Sequence, residues 1–272
     1  MGSRAFLLVL TLFAGTVAAA AGWLASTRID TVRLVFGRIT VDGRLVVPSA
    51  TLPPGVTVET PPGRPARLRL ARTEVHVAGD TRLRVDADPD GLPRLVLERG
   101  NVDVTAIEPH TVVAAGGTDI DAAGAEFSVR RLRDGRAVVS AVRGRVVLRG
   151  GGRSLEVPAG LSSVVYPGIG PAAPCAPDAT EAFREALEAV ETLPTTAIRR
   201  LIGVEVLASE ARPADALTLA SLLHRVEPSE RRRLVERLVE LAPPPTGVAA
   251  TAVADGDHTL AEAWRRHLLE TR

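Results

Sequence analysis

The sequence predicts an all-β domain followed by an all-α one, with an apolar segment ahead of both. Three observations carry this. Apolar and polar residues alternate through the first half of the chain, turn signals recur at spacings of about 10 residues, and beyond residue 177 the hydrophobic period lengthens from two to about 3.6. Alternation places one strand face on a core and the other in water. A period near 3.6 draws one apolar stripe along a helix.

The elements follow in order. Ala5 to Ala25 is a run of 21 residues without a charge, and about 20 apolar residues span a bilayer. Two fates fit residues 1–25: an uncleaved signal anchor, or a signal peptide cut at the small residues of Ala19-Ala20-Ala21. Flanking charge does not set the orientation, because the amino terminus and Arg4 are balanced by Arg28, Arg33 and Arg38 less Asp30. No lipobox cysteine follows the run.

Residues 30–165 read as the β domain. Val35 to Val41 reads as one strand ending at Asp42-Gly43, a strong hairpin signal. Ala66 to Leu70 and Thr81 to Val85 alternate cleanly. Turns fall where glycine supplies positive φ, at Gly79-Asp80, Asp90-Gly91, Asp134-Gly135 and Gly150-Gly151-Gly152. Residues 166–177 hold Pro167, Pro171, Pro174 and Pro177 and read as an extended linker between separately folding halves.

Residues 178–272 read as a helical bundle. Asp178 and Glu181 resemble a capping box, and Phe183, Leu187 and Val190 line one face until Pro194. A second helix carries Ile198, Leu201, Ile202, Glu205 and Val206, and Pro213 opens a third with Leu217, Leu219, Leu222 and Leu223. Pro228 sits in the first turn of a fourth, striped by Leu234, Val235, Leu238 and Leu241 and stopped by Pro243-Pro244-Pro245. A last helix starts near Thr259 with Leu260, Trp264 and Leu268 on one side.

Composition excludes several function classes. All 33 basic residues are arginine, so chemistry that needs a lysine, a Schiff base or a P-loop, is absent. A net charge of +1 and 3% aromatics argue against nucleic acid. The single Cys175 rules out an intrachain disulfide and zinc cysteine clusters.

Motif searching is equally sparse. Asp86-Ala87-Asp88-Pro89-Asp90-Gly91 matches the opening of a calcium loop, but the closing position holds Leu97, with Glu98 one residue late, so it reads as a solvated hairpin. His76, His110, His224, His258 and His267 lack ligand spacing. Gly116-Gly117-Thr118 reads as a loop, and Arg231-Arg232-Arg233 as a solvated helix face paired with Glu230, Glu236 and Glu240. No catalytic, cofactor-binding or metal-binding residue is assigned, no cofactor is implied, and the chain is not expected to be an enzyme.

Gly124-Ala125-Glu126-Phe127-Ser128-Val129, with Val138 to Leu148 behind it, resembles the signature of the FecR domain family. Leu95 to Val104 and Leu155 to Val165 extend the likeness, which runs from about Val32 to Val165. Ala125 stands where the family usually has threonine. The resemblance implies antiparallel sheets stacked as a roll or solenoid, on the periplasmic side of a bacterial inner membrane that residues 5–25 cross once. It also implies a protein partner in the envelope and a role in sensing or signal regulation, with a non-signalling envelope scaffold as the alternative. Family members carry a cytoplasmic anti-sigma segment ahead of the membrane helix. Only four residues precede the apolar run, so sigma-factor binding in that manner is not expected.

Overall fold

The computed structural model describes residues 32–70, 72–88, 93–106 and 111–271. The apolar run, His110 and the Pro89-Asp90-Gly91 turn lie outside them. The described residues form one large mixed sheet system followed by a helical region.

The strands are β1 (Val32–Phe36), β2 (Ile39–Val41), β3 (Arg44–Val46), β4 (Thr51–Leu52), β5 (Thr57–Glu59), β6 (Ala66–Leu70), β7 (Thr73–Val77), β8 (Arg82–Ala87) and β9 (Pro93–Ala106). They continue as β10 (Thr111–Ala115), β11 (Thr118–Ala122), β12 (Ala125–Arg131), β13 (Ala137–Arg143), β14 (Arg145–Gly150), β15 (Arg153–Pro158), β16 (Ser162–Tyr166) and β17 (Gly170–Pro171). Pairing sorts them into two layers. One runs β4-β1-β6-β7-β9-β12-β13-β16-β17. The other runs β3-β2-β5-β8-β9-β10-β11-β14-β15. The long β9 belongs to both. The chain crosses between the layers every strand or two, and their inward residues share one core that includes Leu34, Leu68, Val104, Phe127, Ile120 and Leu148.

Two expectations are corrected here. The sheets are not wholly antiparallel, since β9 and β10 run parallel with Val113 opposite Leu95. Nor is Val35 to Val41 one strand, because Gly37 breaks it at φ 92° as the chain changes layer. A side chain at Gly37 would stand 2.6 Å from the Pro65 carbonyl oxygen. The Asp42-Gly43 turn is as read: both residues have positive φ and Val41 pairs with Arg44, the geometry of a two-residue primed turn. Gly116-Gly117, read as a loop, is a hairpin of the same kind between Ala115 and Thr118.

The stretch from Gly124 to Val129 has a physical reading. Phe127 points inward and is buried. Gly144 turns the chain from β13 to β14 at φ 69°, and a Cβ there would meet the Gly124 carbonyl oxygen at 2.8 Å. Two layer crossings therefore touch through their glycines. Buried Ala125 lies against the same contact.

The helices are α1 (Glu181–Thr192), α2 (Ile198–Glu210), α3 (Ala216–Leu222), α4 (Pro228–Leu241), α5 (Ala250–Asp255) and α6 (His258–Glu270). Thr180, not Asp178, caps α1 by accepting from the Phe183 N–H at 3.1 Å, while Asp178 pairs with Arg212 at 3.0 Å. Pro213 opens a short 3₁₀ turn before α3, Pro228 takes the first position of α4, and α5 is an element the sequence reading did not separate. Trp264 is fully buried in the helical core.

The expected extended linker is instead packed. Gly170–Pro171 forms β17 on β16, and Ser162 and Cys175 exchange backbone hydrogen bonds of 3.0 and 2.7 Å. Ala172, Ala173, Cys175 and Ala176 are buried. Ala176, Leu217 and Leu269 join the core of the sheets.

Candidate functional site

The junction between the sheets and the helices concentrates the buried charge. Glu191 stands in the last turn of α1, four residues after Leu187 and so on the helix's apolar stripe. Its side chain is 1% exposed and takes bonds from three directions: Arg153 of β15 at 2.8 Å, Arg225 after α3 at 2.5 Å, and the Ala173 N–H at 2.7 Å. Burial pushes the Arg225 guanidinium down, and Glu191 opposes that shift. Arg225 also donates to the Pro171 carbonyl at 3.2 Å.

The network continues into the helices. Arg200 of α2 donates to the Arg225 carbonyl at 3.0 Å and pairs with Glu230 of α4 at 3.2 Å, both side chains buried. It also donates to the Val190 carbonyl near the end of α1. A continuous chain of charged groups thus runs from β15 through α1 to α2 and α4. An uncompensated buried charge costs several kcal/mol, so each member fixes its neighbours.

Beside this junction lies a cavity of about 300 Å³, walled by Leu132, Val138, Val164, Tyr166, Cys175 and Leu187 among others. At its rim Arg136 bridges Asp134 at 2.7 Å and Glu188 of α1 at 3.2 Å. Burial raises the Tyr166 hydroxyl to about 12, helped by the Glu188 charge. Burial likewise raises the Cys175 thiol to about 11, helped by Asp215. Both groups are neutral at ordinary pH, and a protonated thiol is neither nucleophile nor metal ligand. Cys175 in the intact protein should resist iodoacetamide at pH 8 and react fully once urea unfolds the chain. Rapid alkylation in native buffer would show that residues 166–177 do not pack as described.

Outside the network, α2 presents a second feature. Gly203, Val204, Leu207 and Ala208 face the helical core, and a Cβ on Gly203 would sit 3.0 Å from the Ala186 carbonyl oxygen of α1. The opposite side of α2 carries Ile198, Leu201 and Ile202, all exposed. The helix expected to carry these residues is present, and it turns them toward solvent. Ile202 borders a groove of about 290 Å³ floored by Ala182, Ala186, Ala189 and Gly203. A wider groove of about 590 Å³ separates α4 from α5, with Val235, Val239 and Ala254 in it and Arg232, Glu236, Glu240 and Asp255 around it.

The remaining sequence motifs are dispersed. Asp86 pairs with Arg84 at 2.8 Å. Arg231 is buried rather than solvated, donating to the Leu223 and Val226 carbonyls at 2.8 and 3.1 Å. Arg233 does pair on the surface, with Glu205 and Glu236. His224 and His258 stack with their Nδ1 atoms 2.9 Å apart, while His76 is exposed on β7. Among the described residues no group of three or more His, Cys, Asp or Glu side chains could hold a metal ion.

Comparison with known proteins gives little at the sequence level: no family model matches the chain, and no curated protein does either. Two crystal structures of a proposed anti-sigma factor from Parabacteroides distasonis share part of the fold at 16% identity. One has a TM-score of 0.38 over 47% of this chain and 64% of its own. The other has a TM-score of 0.39 over 56% of this chain and 73% of its own.

Proposed function

We propose that the chain is a FecR-like envelope protein that regulates or senses through protein contacts, held at the inner membrane by residues 5–25 with residues 26–272 in the periplasm. The observation that carries this reading is the apolar stripe Ile198, Leu201 and Ile202, set outward on a helix whose other side packs on α1 and α4. Large apolar side chains left in water on one helix face mark a protein contact more readily than a solvent surface. Covering each would contribute roughly 1.5–3 kcal/mol. The sensory half of the reading is supported by the resemblance of Gly124 to Val129 to the FecR signature. Among the described residues the Cys175 thiol is buried and protonated, and the junction carboxylates Glu191 and Glu230 pair with arginines.

Photo-crosslinking amino acids placed at Ile198 and Ile202 in the intact cell test this. Discrete adducts with an envelope protein are expected from both positions and not from exposed His76. With the photo-crosslinker kept at Ile202, replacing Ile198 and Leu201 together with serine should abolish the adducts while shifting stability by no more than about 0.5 kcal/mol per site, as for exposed positions elsewhere. Adducts that survive the double replacement would contradict the stripe as the contact.

A further inference from the structure

We infer that the outer corner formed by β1, β2 and β3 is a second membrane contact, a surface that rests on anionic phospholipid beside the anchor. Phe36, Leu45 and Val47 are 61%, 65% and 56% exposed. Phe36 ends β1, Leu45 lies on β3 and Val47 follows it, and the Ser49 N–H bonds the Leu34 carbonyl at 2.9 Å where the chain returns to β1. Leu45 lies two residues before Val47 on the edge strand β3, which pairs only with β2 among the described residues.

Three arginines lie in the same stretch of chain. Arg33, Arg38 and Arg44 are all exposed, and among the described residues none of them makes an ion pair. The acidic residue of this stretch, Asp42, already accepts a hydrogen bond from the Thr57 N–H at 3.1 Å. Apolar side chains flanked by unpaired cations are the composition of a surface that lies in a lipid headgroup layer. Near an anionic leaflet each such arginine strengthens binding roughly fivefold.

The position in the chain selects lipid as the occupant. The apolar run ends at Ala25 and β1 begins at Val32. The residues between them reach at most about 20 Å even when fully extended. An anchored chain therefore holds the start of β1, and the corner it leads into, close to the bilayer. The inference rests on the membrane anchor proposed above.

The full chain reconstituted into lipid nanodiscs tests it. A Cys175→Ala background carries Phe36→Cys labelled with an environment-sensitive fluorophore, and Val142→Cys serves as control. Val142 is exposed on β13, five strands from β1 and so about 24 Å away. Discs are made from phosphatidylcholine alone or with about one third phosphatidylglycerol, each with and without a headgroup nitroxide lipid. The label at position 36 should shift to the blue and be quenched by the nitroxide in phosphatidylglycerol discs, with the control unaffected. Replacing Arg33, Arg38 and Arg44 together with glutamine should remove most of the quenching.

A chain that enters the discs with an unquenched, water-like label at 36 overturns the inference and leaves the anchor standing. Failure to enter the discs overturns the anchor and this contact with it. Equal quenching in neutral discs, unchanged by the glutamine replacements, overturns the anionic-lipid assignment. Shielding of the label that rises with protein concentration in detergent alone assigns the corner to a second copy of the chain and overturns it as well.

Discussion

Glu191→Ala is expected to destabilise the whole described fold by about 3 kcal/mol, the lower part of the range for removing one partner from a buried ion pair. The lower part applies because Arg153 and Arg225 keep 26% and 16% of their side-chain surface in contact with water. Removing the carboxylate leaves two guanidinium groups without a counter-charge and strips the Ala173 N–H of its acceptor. Glu188→Ala, by contrast, breaks a half-exposed pair with Arg136, and such pairs contribute about 0–1 kcal/mol. Urea titrations followed by circular dichroism separate the two. A Glu191→Ala midpoint no lower than that of Glu188→Ala would remove the junction network from the account of stability.

Phe127→Ala is the second large effect. The ring is 1% exposed at the centre of the sheet core, and cutting a buried phenylalanine to alanine costs about 3–5 kcal/mol through lost burial and the cavity left behind. An extended linker over residues 166–177 would confine that damage to the β half. The packed junction gives a different expectation. Ala176, Leu217 and Leu269 belong to the core of the sheets, so the loss should be felt by the helices too.

The difference between reading and structure has identifiable causes. Local signals were legible where one residue type forces one geometry: Asp42-Gly43 as a hairpin turn, Phe127 pointing inward, Pro228 opening a helix, Trp264 filling the helical core. The packed segment was not legible because proline removes a donor and leaves its carbonyl as an acceptor. Pro171 accepts from Arg225 and Pro174 accepts from Thr218 at 2.5 Å, and those partners are distant in sequence. Periodicity also failed on α2, which has two apolar sides. Ile198, Leu201 and Ile202 are the more hydrophobic, yet Gly203, Val204, Leu207 and Ala208 face inward because Gly203 lets α1 approach closely.

The junction charges left a signal that went unused. Glu191 follows Leu187 by four residues, Arg200 precedes Val204 by four, and Glu230 precedes Leu234 by four. Each charged residue thus lies on a buried stripe, where charge is tolerated only with a partner. Three such residues in neighbouring helices point, from spacing alone, to a shared buried network. Their partners Arg153 and Arg225 carry no comparable mark.

Hydrogen exchange of Phe127→Ala, read by mass spectrometry against the unaltered chain, tests most directly whether sheets and helices form one cooperative body. The account predicts that peptides from α1 and α2 lose protection together with those from β12 and β13, by the same free energy in each. Helices that keep the protection of the unaltered chain while the sheets exchange freely would contradict it.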